Sequence, residues 1–180
     1  MHTTKRRSAI LATVASASFG LTAQADGVAH GRSVAPAPIE GTWVMAIQPV
    51  FCTTTPAGNA GDPVPGTAPV SGYLTFHRGG TMTESNSNAA FEPGQRGPGH
   101  GSWERTGQTS YQFMFQGFVT FDSTQPPFRY KRGYQRIEQT LEMHTNDEFT
   151  TSGTVRFFSG TSTTNPYIVG CARSSGVRLY

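Results

Sequence analysis

Ile39-Glu40-Gly41-Thr42-Trp43-Val44-Met45 (IEGTWVM, residues 39–45) decides the fold of this chain. Apolar and polar residues alternate from here on. Trp43, Met45 and Ile47 fall on one face and Thr42, Val44, Ala46 and Gln48 on the other, the period-two pattern of a half-buried strand. The run continues to Cys52 and stops at a Pro- and Gly-rich stretch over 53–70, which reads as a long loop.

The same alternation recurs along the chain. SGYLTFHR (71–78) places Leu74 and Phe76 opposite Tyr73, Thr75 and His77. Arg78-Gly79-Gly80 turns the chain into GTMTESNS (80–87), so a hairpin is expected. Residues 88–101 (NAAFEPGQRGPGHG) read as a second long loop, and GSWERTG (101–107) as a short strand. YQFMFQGFVTFD (111–122) is the strongest strand, with Tyr111, Phe113, Phe115, Val119 and Phe121 on one face; STQPP then breaks it. RYKRGYQRIEQTLEMH, EFTTSGTVRFFS and YIVGCARSSGVRLY complete a set of about eight strands with no helical pattern. Strands in sequential hairpins predict an all-β, antiparallel up-and-down barrel over residues 39–180.

Before this domain the chain carries an address. Lys5, Arg6 and Arg7 precede an Ala-rich apolar run that ends in Ala23-Gln24-Ala25, so residues 1–25 read as a signal peptide cleaved after Ala25. The apolar run is too short and Ala-rich for a membrane span. Residues 26–38 are Ala-, Gly- and Pro-rich and read as a flexible arm. The whole chain has 14 basic and 11 acidic residues, and the signal removes three of the basic ones. The mature protein is therefore near neutral, which excludes an electrostatic nucleic-acid partner. Export to the periplasm or beyond gives the two cysteines, Cys52 and Cys171, an oxidising compartment in which a disulfide is expected.

A Gly-x-Trp at the head of the first strand, in an exported chain of this size, resembles the calycin group of lipocalins and avidin-like barrels. That resemblance implies a Trp on the barrel floor, here Trp43, with an Arg of the last strand stacked across it, here Arg173 or Arg178. It also implies a lumen for a small apolar or amphipathic ligand. LTFHRGG (74–80) and GHGSWER (99–105) resemble stretches of exported bacterial proteins.

Trp43, Phe76, Met82, Trp103, Arg105, Phe113 and Phe115 are the expected ligand contacts. Trp103 and Arg105 share a face, so one or both are expected to be buried or to line the lumen. A buried Arg needs a carboxylate, and Glu84, on the Met82 face, is the candidate. A cofactor-free isomerase or cyclase on a barrel resembling allene oxide cyclase is the alternative, with Glu84, His100, Glu104, Arg105 and Tyr111 as its catalytic candidates. Two readings of 134–144 compete. In one, Ile137, Leu141 and Met143 face the core; in the other, Tyr134, Arg136 and Glu138 line a polar lumen. His30 lies in the arm, and His77 and His144 end strands without a chelating spacing, so no metal is expected. No nucleotide, phosphate or nucleophile-elbow motif occurs, and no cofactor is expected. The final aromatic, Tyr180, and the apolar face of 111–121 fit an outer-membrane barrel, but 80–87 and 148–154 offer none of the lipid-facing band that a spanning strand needs.

Overall fold

The strand pattern closes on itself. In the computed structural model, which describes residues 38–122 and 130–180, eight antiparallel strands form one closed barrel in sequence order. They are β1 (Gly41–Val50), β2 (Val70–Phe76), β3 (Thr81–Asn86), β4 (Arg96–Arg105), β5 (Ser110–Asp122), β6 (Tyr130–Met143), β7 (Glu148–Ser159) and β8 (Ile168–Arg178). β8 returns to β1, with Trp43 opposite Arg178 and Val50 opposite Cys171, so no sheet edge remains. The expected signal peptide, nearly all of the arm, His30 and the STQPP break lie outside the described residues.

Period-two alternation decides which side chains enter the barrel. Trp43 and Met45 of β1, Leu74 and Phe76 of β2, and Tyr111, Phe113 and Phe115 of β5 are all buried. On β6, Ile137, Leu141 and Met143 point in, while Arg136, Glu138 and Glu142 stay partly or fully exposed, which settles the two readings of that strand for the first. Tyr134 is buried although it lies on the outer face. It stacks on Phe158, with ring centroids 4.8 Å apart, and donates a hydrogen bond to the Ser162 carbonyl.

Aromatic rings fill the end of the barrel where β1 begins. Trp43 packs on Phe149 at 4.7 Å between centroids, and Phe149 meets Phe76. Fully burying each such ring is worth about 1.5–3 kcal/mol. Trp43 Nε1 donates to the Ile39 carbonyl at 2.9 Å. Arg178 lies over the indole, 4.2 Å from its centroid, and donates to the carbonyls of Pro38, Glu40 and Asn146 and to Asp147. The floor is thus sealed by an apolar plug and an arginine that ties three chain segments together.

Loops 51–69 and 160–167 lie at the opposite end, the mouth. The first folds back on its own strand through Phe51 N–H to Asp62 O and Val64 N–H to Pro49 O. The disulfide Cys52–Cys171, with Cα atoms 5.1 Å apart, fastens this loop to β8. A disulfide fits an oxidising environment.

β4 departs from the sequence expectation. It begins at Arg96, inside the stretch 88–101 that reads as a loop. The long β5 needs a partner along its upper half, and Arg96 pairs with Val119 and Gly99 with Gly117, with a register shift between them. Pro98 falls within that irregularity, where a missing N–H costs no ladder bond. Gly101 is required by space: a Cβ there would lie 1.9 Å from the Met114 carbonyl oxygen.

Candidate functional site

Above the floor the barrel is not filled. A lumen of about 230 Å³ opens between Met45 and Ile47 of β1, Leu74 of β2, Phe113 and Phe115 of β5, Ile137 of β6, and Val155 and Phe157 of β7. Most of its wall is therefore apolar, and one side of it is polar.

The polar side is built from one cross-strand row. Glu84 pairs with Gly99, Gly99 with Gly117, and Gly117 with Gln135. The two glycines remove side chains from the middle of the row and leave a trough. A Cβ on Gly99 would lie 2.7 Å from Glu84 Oε2, and one on Gly117 would lie 3.2 Å from the Arg96 guanidinium. Arg96 lies along this trough. Its Nη2 donates to Glu84 Oε2 at 2.8 Å, its Nε to Gln135 Oε1 at 2.6 Å and its Nη1 to the Gly97 carbonyl at 3.0 Å. Asn86 Nδ2 donates to the other carboxylate oxygen at 2.6 Å. The side chains of Arg96 and Glu84 are 5 % and 2 % exposed. This is a buried ion pair whose charges neutralise each other and whose hydrogen bonds fix it in place. A second buried polar group, Gln139, accepts from Thr151 Oγ1 at 2.7 Å.

The expected partner of Glu84 was Arg105, and here the structure corrects the sequence. Arg105 pairs with Tyr111 at the floor end of β4, six positions beyond Gly99, a distance of roughly 20 Å along a strand. It is exposed and donates to the carbonyls of Gly107 and Gln108. Arg96 takes the place beside Glu84. It was missed because the glycines and proline around it hid the start of the strand.

Among the catalytic candidates, only Glu84 faces the lumen. His100 and Glu104 alternate outward and are exposed, and Glu104 accepts from Gln112. Tyr111 is buried at the floor beside Trp103, and its hydroxyl finds no partner among the described residues. Of the expected ligand contacts, Phe113 and Phe115 line the lumen. Trp43, Phe76 and Met82 belong to the plug beneath it. Trp103 is half-buried at the floor end and donates from Nε1 to the His77 carbonyl at 3.1 Å. His77 and His144 hydrogen-bond Thr83 and Thr150, and no group of three metal-ligating side chains occurs among the described residues.

Among the described residues the outer wall carries larger but more open grooves, one of about 630 Å³ bordered by Glu104, Gln112, Met114, Glu138 and Ser152. Comparisons with protein-family models, curated proteins and solved structures found no match.

Proposed function

We propose that this chain is an exported, lipocalin-like binding protein that holds a small apolar or amphipathic molecule in its barrel. The observation that carries the reading is the chamber of about 230 Å³, apolar on most sides, with a fixed polar cluster on one. Small-molecule sites combine those same two elements. Trp43 under Arg178 supports the calycin-like kinship. The disulfide, together with the expected signal peptide ending at Ala25, supports a periplasmic or secreted location.

An isomerase or cyclase on the same barrel is weighed down by the scatter of its candidates. Glu84 alone reaches the lumen, and both of its oxygens already accept hydrogen bonds. Native mass spectrometry of the protein purified from its source, under non-reducing conditions, tests the binding reading. The expected spectrum shows the disulfide-bonded mass plus one small molecule. A spectrum of empty protein only, at gentle activation, would count against stable ligand storage.

A further inference from the structure

We infer that the lumen selects a neutral molecule of about one substituted ring, bearing a hydrogen-bond acceptor oxygen that docks on the side-chain amide nitrogen of Gln135. The inference rests on the lumen being the binding site, and it specifies the ligand class.

Size comes first. The lumen of about 230 Å³ is half as large again as the roughly 150 Å³ cavity that holds a benzene ring, so one ring and a short substituent fit. Phe113, Phe115 and Phe157 supply flat apolar contacts for it.

Charge comes next. Glu84, on the lumen wall, is already paired with Arg96 at 2.8 Å. A carboxylate ligand would meet the buried Glu84, and a cation would meet a carboxylate already neutralised by Arg96. Neither would find an unmatched countercharge, so its desolvation would go uncompensated.

Polarity fixes the orientation. Arg96 has only donors, so the Gln135 oxygen must face it, as the 2.6 Å contact from Nε requires. That contact turns Gln135 Nε2 away from Arg96. The residue borders the lumen, and Nε2 donates to no acceptor among the described residues. The chamber therefore presents an amide donor whose direction is set by the ion pair behind it. A ketone, aldehyde, ether or lactone oxygen satisfies this donor. A hydrocarbon of the same shape leaves it unpaired.

Isothermal titration of the purified protein with acetophenone, ethylbenzene and benzoate tests the inference. Acetophenone is expected to saturate one site about tenfold more tightly than ethylbenzene, with no benzoate binding. Gln135→Met keeps the length of the side chain and removes the lumen-facing donor without adding a charge. It is expected to abolish the tenfold preference. Equal binding of acetophenone and ethylbenzene to the unaltered protein, a comparison that needs no variant, overturns the anchor and leaves the binding reading standing. Tighter binding of benzoate overturns the neutral-ligand class. If none of the three binds, the ligand class falls, and the binding reading falls with it only where the native protein also carries no adduct.

Discussion

Removing one member of the Glu84–Arg96 pair should cost far more than removing both. Each side chain is at most 5 % exposed, and the pair is joined at 2.8 Å. Arg96→Met leaves a buried carboxylate with only the Asn86 amide to solvate it, and Glu84→Leu leaves a guanidinium with Gln135 and a backbone carbonyl. Breaking such a pair costs about 3–5 kcal/mol, and water entering through the mouth places each single variant near the lower end, about 3 kcal/mol. For a domain of this size that lowers Tm by roughly 10 °C. The double variant exchanges the pair for apolar volume in an apolar chamber and should lie within about 1 kcal/mol of the parent. The coupling energy across the cycle is then about 5 kcal/mol. Urea unfolding of all four proteins, with slopes compared to confirm a common unfolded state, measures it. Single losses below about 1 kcal/mol, or a double loss equal to their sum, would refute the claim that the two charges are buried and mutually dependent.

Gly101→Ala forces a Cβ to within 1.9 Å of the Met114 carbonyl oxygen, so thermal unfolding should show a loss of about 2–3 kcal/mol; an unchanged Tm would mean that the β4–β5 approach is looser than described. The Cys52–Cys171 bridge spans 119 residues of sequence, and paired Cys→Ser substitution should cost about 5 kcal/mol in the chain-entropy account, read as a lower urea midpoint. Hydrogen bonds from Ser110 and then Thr109 to Glu142, with the nearby His144 charge, hold its carboxyl below the ordinary value of 4.5. A depressed acid pKa contributes stability that is present above the ordinary value and lost as pH falls through the folded one. NMR titration should therefore place Glu142 below a free glutamate, and Ser110→Ala should move it up.

The barrel could be read from the chain because alternation is a local property. Trp43, Met45 and Ile47, or Tyr111, Phe113 and Phe115, declare their face within a few residues. The Trp43–Arg178 contact was legible only through the lipocalin resemblance, which offered Arg173 equally. The polar cluster was harder to see. Glu84, Arg96 and Gln135 are brought together by register across four strands, and register is not written in any one of them. Two signals pointed to it. Gln135 and Gln139 interrupt the inward face of β6 around Ile137, where an ordinary core would carry apolar residues. Gly99 and Gly117 sit where a strand interior normally carries side chains. The run PGQRGPGHG masked the start of β4, because glycine and proline mark loops far more often than they mark a trough cleared for an arginine.

Methyl-resolved NMR tests the central claim most directly. The protein is stripped of bound molecules and then titrated with what its own purification released, or with acetophenone. The account predicts saturable shifts at Met45, Ile47, Leu74, Ile137 and Val155, which face the lumen. Val44, Met114 and Val177, exposed on the outer face, should stay still. Shifts confined to the outer methyls, or none at any ligand concentration, would contradict a ligand-holding barrel.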